Sequence, residues 1–481
     1  MLFCFCLCVS LHCRLKKFLD TVQVSYWFSF SSERASMNPI NQQGYDLMHA
    51  GALALVDVET HGVRVDVPYY KKQSAALIPQ IVKSEQDLLE WDEIKEVKRK
   101  YGKKFSLESD VQIHHLVFDI CGIQETEDIV GVDSNSLKET GLLFVDELLH
   151  YRKLTQTKST FIDPFIREAV CGRVYNFFTL HRPRSFRGAS EKINFQNIPV
   201  RDMIIRMMVR SGIFPDIGHQ LLEIDFKGNE VRVGNAYHLD PKMTEYNSDF
   251  KKDMHRDQGE MLFCTPISNI SKDVRFYIKN MFVFPQFYGS WFDPCAKNLW
   301  KNVVLAGLLL KDGTSVKDSL KNAGIVTLEQ FIAHVQFVED KFWNERFSVY
   351  KEWKEINWNG YVESGEVDLL SGFTCRGIMN KKQCNNYPVQ GSAFHCLLWC
   401  LIELNKYIKN NGLLSRIIGQ IHDSIVLSLC PFEFEQIINK SKEIMEEKIR
   451  KFYPWLIVPM IAEYEITRVN RPWATKKEIA V

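Results

Sequence analysis

The period of the hydrophobic pattern changes several times along the chain. From Met37 to about Ile166 it is largely helical. Within that stretch Leu88, Leu89, Trp91, Ile94 and Val97 recur at helical spacing, and Ser84 followed by Asp87 predicts a capping box ahead of them. From about Cys171 to Tyr237 short strand-like runs dominate, and LLEIDF, ending at Phe226, reads as a buried strand. Residues 241 to 380 return to helix, with long amphipathic stretches such as LEQFIAHVQFVEDKFWNERFSVYKEWKEI. NNYPVQGSAFHCLLWCLIELNKYIKNNG then predicts one helix, with Pro388 in its first turn and Gly412 as its stop. SRIIGQIHDSIVLSL predicts two apolar strands around a tight turn. Strands far apart in sequence, separated by a helical insertion, imply an α+β fold in which they share one sheet.

Composition narrows the class. The 481 residues exceed one compact core and suit roughly two to four domains. Hydrophobic content of 46% and charged content of 25% are those of an ordinary globular protein. A net charge of only +1 argues against a small, highly basic DNA coater, so any grip on nucleic acid must come from local patches. One such patch is Lys95, Lys98, Arg99, Lys100, Lys103 and Lys104; it suits a duplex backbone or a solvated helix face. The 13 cysteines are scattered without C-x-x-C pairs, which predicts reduced thiols in a cytoplasmic compartment and no structural zinc. No apolar run is long enough to span a membrane. The start, MLFCFCLCVSLHCRLKK, carries its basic residues after the apolar run, the reverse of a signal peptide. Residues 1–36 read as a doubtful extension foreign to the fold, with a short anchor or an odd signal as alternatives.

Three groups of side chains carry chemistry. Asp225 ends the apolar strand and Asp423 sits at the turn of IIGQIHDSIVLSL. A carboxylate closing a buried strand is costly unless it is paired or bound to metal, and two of them can form a hard-oxygen site for Mg²⁺. Either one alone reads equally as a turn or cap aspartate. Lys272, Arg275 and Lys279 share one helix face, which suits a triphosphate or plain solvent, and His255 could add a phosphate contact. Lys382, Asn386 and Gln390, four apart, offer amides that read minor-groove acceptors without base preference, or simply an exposed polar face.

Taken in order, these segments resemble DNA polymerase family A, from about Asn41 to Trp473. GALALVDVETHGVRVDV resembles the opening of the thumb, and YRKLTQTKSTFIDPFI the thumb-to-palm passage. RGASEKINFQNIPVR resembles the primer-template strip at Arg187, Gln196 and Asn197. LLEIDFKGNEVRV resembles the first palm motif at Asp225, Glu230 and Arg232; RFYIKNMFVFPQFYGS the fingers helix at Arg275, Lys279, Tyr288 and Gly289; NNYPVQGSA the N-x-P-x-Q-G motif; and QIHDS the last palm motif at Gln420, His422 and Asp423. Each motif is weak alone, but all of them in order are specific.

The resemblance implies a right hand: a helical thumb over 37–168, an antiparallel β-sheet palm from 169–240 and 386–481, and helical fingers over 241–385. It implies that two Mg²⁺ ions are held by Asp225, Asp423 and the Phe226 carbonyl, with Lys279 as a third catalytic group. Arg275, Lys279 and His255 would bind an incoming deoxynucleoside triphosphate. Glu230 would exclude a ribose 2′-hydroxyl, Phe284 would stack on the base, and Tyr288 would close over the nascent pair. Arg187, Gln196, Asn197, Arg232, Asn386, Gln390, Gln420 and His422 would contact primer-template DNA.

The sequence departs from the family pattern at Ser424, where Glu often follows the His-Asp pair, and at Lys227, where a small polar residue is usual. The fingers helix carries one extra residue between Lys279 and Tyr288, with Pro285 in the gap; Phe284 or Val283 then fits the stacking position. These features resemble phage members, for which the host cytoplasm would be the compartment. Only about forty residues precede the thumb, too few for a proofreading exonuclease domain, so none is expected in this chain; a separate exonuclease or other replication proteins would be partners. The alternatives are a catalytically inactive DNA-binding remnant and a single-subunit RNA polymerase, the latter opposed by Glu230.

Overall fold

The computed structural model describes residues 39–126, 129–198, 202–249 and 252–481; the extension expected at 1–36 lies outside them. Its centre is a five-stranded antiparallel sheet with the order Lys477–Ile479, Ala462–Ile466, Gln220–Phe226, Ser424–Leu429, Arg416–Ile421. The strand read from LLEIDF is therefore the middle strand, paired on both sides. The two strands of SRIIGQIHDSIVLSL form the predicted hairpin, turning at His422 and Asp423.

Behind the sheet runs the helix Lys381–Asn410. Ala393, Cys396, Leu397, Cys400, Leu401 and Leu404 bury one side of it against Leu222, Ile224 and Leu427. Truncating a buried leucine of this kind to alanine costs about 2–5 kcal/mol. The helix begins earlier than the sequence predicts, at a capping box formed by Asn380 and Gln383. Pro388 thus lies inside the helix, not in its first turn. A proline there leaves the carbonyl four residues back without its helical donor. That carbonyl belongs to Cys384, and the Asn357 side-chain amide donates to it at 3.2 Å.

Two helical units flank the sheet. One, between Pro241 and Ser364 and within the span expected for the fingers, has its own core of residues such as Val274, Ile278, Phe282, Phe331 and Phe342. The other unit buries Leu88, Ile94, Val97, Leu116, Phe144 and Leu148. One expectation there needs correction. Ser84 caps nothing: it is buried inside the helix Val67–Leu88, whose N-terminal cap is Asp66, accepting from the Tyr69 N–H at 2.9 Å. The helix Pro39–His61 packs on the helix Lys381–Asn410 through Leu47, Ala54, Leu55 and Val58. Among the described residues no helix is long and apolar enough to cross a membrane.

Candidate active site

Alternation along the middle strand turns Leu222, Ile224 and Phe226 into the core and Asp225 to the other face. In register, Asp225 lies between Ser424 on one neighbouring strand and Glu463 on the other. The Phe226 N–H donates to the Asp423 carbonyl at 3.3 Å, tying the hairpin turn to the end of this strand. Burial, followed by the charges of Asp423, Glu223 and Glu463, pushes the Asp225 carboxyl up to about 7. Such crowding of carboxylates is relieved by a cation.

Among the described residues no group of three or more His, Cys, Asp or Glu side chains is arranged to hold a metal. Two carboxylates and a carbonyl still fit Mg²⁺, which takes one or two carboxylates and fills its shell with water and substrate phosphates. Ser424 does not extend the acidic set; its hydroxyl donates to the Ile421 carbonyl at 2.9 Å and closes the turn. Glu463, which sequence reasoning missed, faces Lys227 at 3.2 Å. The alternation of AEYEI around buried Tyr464 was the available signal.

The fingers bring cations toward these carboxylates. Arg275 and Lys279 lie along one helical run, as their spacing predicts. Arg275 Nε is 2.6 Å from Asp253 Oδ2, a partner the sequence did not reveal. Burial, then the Arg275 charge, pushes Lys279 below the usual lysine range, while the charges of Glu463 and Asp225 oppose that shift. His255, in the first turn of the helix Met254–Phe263, lies edge-on to Phe284. Its ring is pushed down to about 4, chiefly by burial and then by Arg275, and its Nδ1 is buried without a hydrogen-bond partner. Lys272 is exposed on the same run.

Where the sequence reads one extra residue against the family pattern, the helix has one wide turn. Over Lys279–Val283 the helix widens, so the Phe284 N–H reaches back five residues to the Lys279 carbonyl. Widened turns accommodate a single inserted residue. Pro285 follows in the first turn of the short helix Phe284–Phe287, where its missing N–H is harmless. Val283 turns into the fingers core at 0% exposure. Phe284 instead lines a cavity with Glu230, Tyr288, Asn386 and Gln390, and Lys279 Nζ lies 5.1 Å from its ring centre. Across the same cavity the Tyr288 hydroxyl donates to Glu230, and Arg187 stands 3.5 Å from the other Glu230 oxygen.

The polar side chains expected to touch DNA separate into three sets. Asn386 and Gln390 border the cavity, and Lys382, one turn earlier, is exposed beside Gly289. Gln196, Gln420 and His422 form one network: the Gln196 amide donates to Gln420 Oε1 at 2.7 Å, the His422 N–H donates to Gln196 Oε1 at 2.6 Å, and the Gln420 amide donates to the His422 carbonyl at 2.5 Å. Asn197 is exposed in the same short turn as Gln196. Arg232 stands by itself. It is buried, and its guanidinium donates to the carbonyls of Lys227, Asn247 and Pro459. That geometry braces the strand end.

Against known proteins, the model of DNA polymerase family A matches residues 78–304 and 370–473. The chain belongs to this family. It is 26% identical over 440 residues to the thermostable DNA polymerase I of Thermus aquaticus, covering 88% of this chain and 47% of that protein. It is 24% identical over 493 residues to the DNA polymerase of Bacillus phage SP01, covering 88% and 50%. The chain thus spans about half the length of these curated relatives. Its fold is similar to the polymerase domain of Pol1 from M. smegmatis, solved in complex with DNA primer-template and dNTP. The TM-score is 0.66 at 21% identity, over 89% of this chain and 70% of that one. Residues 305–369, between the two matched segments, include the fingers helices Val316–Asn322, Leu328–Asp340 and Ser348–Ser364.

Proposed function

We propose that this chain is a template-directed DNA polymerase that adds deoxynucleotides to a primer 3′ end by two-metal phosphoryl transfer. The observation that carries the reading is the meeting of Asp225 and Asp423 at the ends of adjoining strands, with Lys279 close enough to feel the Asp225 charge. Asp225, Asp423 and the Phe226 carbonyl would hold two Mg²⁺ ions, which supply activation of the 3′-hydroxyl and stabilisation of the departing pyrophosphate.

The chain's own residues supply position and charge. Arg275, held by Asp253, and Lys279 bind the triphosphate, with neutral His255 beside them. Phe284 stacks on the incoming base. Glu230, fixed between Tyr288 and Arg187, fills the space a 2′-hydroxyl would need. Arg187, Gln196, Asn197, Asn386, Gln390, Gln420 and His422 follow the minor groove near the primer end. The exposed basic run around Lys98 and Lys103 holds the duplex backbone. A separate exonuclease and other replication proteins are proposed partners, and the cytoplasm of a host cell is the proposed compartment.

Extension of a primed DNA template with Mg²⁺, run in parallel with four deoxynucleotides and with four ribonucleotides, tests this. The expected result is template-matched extension with deoxynucleotides alone. Extension with ribonucleotides favours an RNA polymerase, and binding of primer-template without extension favours an inactive remnant.

A further inference from the structure

His395 is a polar exception on the apolar side of the palm helix, at 0% exposure. Its Nε2 lies 3.0 Å from the Phe186 carbonyl, and its Nδ1 lies 2.6 Å from the Ser371 hydroxyl. A carbonyl only accepts, so Nε2 carries the proton, Nδ1 accepts, and Ser371 donates. Ser371 in turn stands 3.3 Å from the Ser392 hydroxyl, and Ser392 stands 2.6 Å from the Tyr237 hydroxyl. The ring is thus locked in one tautomer by a buried chain of hydroxyls.

What the ring holds is a strained backbone. Phe186 has a φ of +57°, a conformation that is costly for a bulky residue and persists only where surroundings enforce it. Three more contacts hold the same loop against the helix and the segment that leads into it. A Cβ on Gly391, one turn before His395, would come within 2.3 Å of the Ser185 carbonyl, and one on Gly188 within 2.6 Å of the Phe394 ring. Arg184 Nη2 donates to the Ile378 carbonyl at 2.9 Å. The loop so clamped delivers Arg187, the residue after Phe186, to Glu230 at 3.5 Å.

We infer that His395 is a positioning residue for Arg187: through the Phe186 carbonyl it aims the guanidinium at Glu230 and at the primer end. The inference rests on the polymerase reading for the use made of Arg187, but its geometry stands without it. It predicts that His395 acts on matched primer ends without touching DNA.

Four variants of the full chain test it: His395→Leu, which keeps bulk without a donor; His395→Gln, which keeps an N–H at similar reach; Arg187→Ala; and the pair His395→Leu with Arg187→Ala. Each is measured for KM and kcat of correct insertion, and for extension from matched against mismatched primer ends. Backbone hydrogen exchange over 184–188 is followed alongside. The expected result is a roughly tenfold fall in kcat on matched ends for His395→Leu, a similar fall for Arg187→Ala, no further fall in the pair, and recovery by His395→Gln. Exchange over 184–188 quickens in His395→Leu and not in the palm sheet. Multiplying losses in the pair, or equal losses for Leu and Gln, overturn the inference and leave a packing role. If His395→Leu fails to fold, Ser371→Ala takes its place, with a smaller loss in the same direction expected and wild-type behaviour overturning the inference. If wild-type protein extends no primer, the polymerase reading fails by itself. Unchanged exchange over 184–188 in His395→Leu then decides against the positioning role separately.

Discussion

Glu463 stands directly across the sheet from Asp225, and Lys227 lies 3.2 Å from its carboxylate. Ser424 flanks Asp225 on the opposite side. Asp225 thus has a hydroxyl residue on one flank and, on the other, a carboxylate screened by Lys227. Both members of that ion pair are about half exposed, so its weight is near 0.5–1 kcal/mol. Lys227→Ser is expected to lower the Mg²⁺ concentration for half-maximal extension by about two- to fivefold, and Glu463→Gln to raise it by a similar factor. Mg²⁺ titrations of the primer-bound protein check both; no change in either variant removes the pair from the site's electrostatics.

Glu230 receives the Tyr288 hydroxyl and faces Arg187, so its carboxylate is fixed from two sides. Burial pushes its carboxyl above the usual range, and the Tyr288 hydrogen bond partly opposes this. Glu230→Ala opens space at the sugar. Ribonucleotide insertion is expected to rise about 100-fold relative to deoxynucleotide insertion, read from single-nucleotide kcat/KM ratios. An unchanged ratio places sugar selection elsewhere.

The wide turn at Lys279–Val283 separates two neighbouring residues by function. Phe284→Ala is expected to raise KM for the deoxynucleotide about tenfold with little loss of stability, because its ring lines the cavity. Val283→Ala is expected to cost about 1–3 kcal/mol of stability with KM near wild type, because Val283 is wholly buried. Denaturant melts and steady-state kinetics on both variants read the difference; the reverse pattern moves the stacking role to Val283.

His238 is stacked on Tyr350 at 4.1 Å and accepts from the Asp240 N–H at 3.0 Å. Burial, with a smaller contribution from Lys354 and opposed by Asp240, pushes it down to about 4. The unfolded chain takes up this proton near 6.5 and the folded chain only near 4. Its contribution is therefore present above 6.5 and is lost progressively as pH falls from about 6.5 to about 4. The loss amounts to about 3 kcal/mol. His238→Gln should flatten the pH dependence of the denaturation midpoint across that window, and an unaltered slope assigns acid sensitivity to other groups.

Much of this architecture was legible because period and motif agreed. The strand ending at Phe226 and the hairpin around Asp423 were readable from apolar runs bounded by a polar turn, and the sheet pairs them as neighbours. What escaped were partners supplied by tertiary packing. Asp253 looks like a surface aspartate until the fold sets it against Arg275. Arg232 sits within a polymerase motif, and the three carbonyls that hold its Nε and Nη1 are brought together only by the fold. Pro388 was misplaced because the side chain that compensates it, Asn357, comes from another helix.

The central claim is that Asp225 and Asp423 carry nucleotide insertion. Single-turnover insertion of one deoxynucleotide on a primed template with Mg²⁺, by wild-type protein and by Asp423→Ala, measures it most directly. The predicted result is template-matched insertion by wild type and at least about a 10³-fold slower rate for the variant, with primer-template affinity little changed. A variant that inserts at the wild-type rate, or a folded, DNA-bound wild type that inserts nothing, would contradict it.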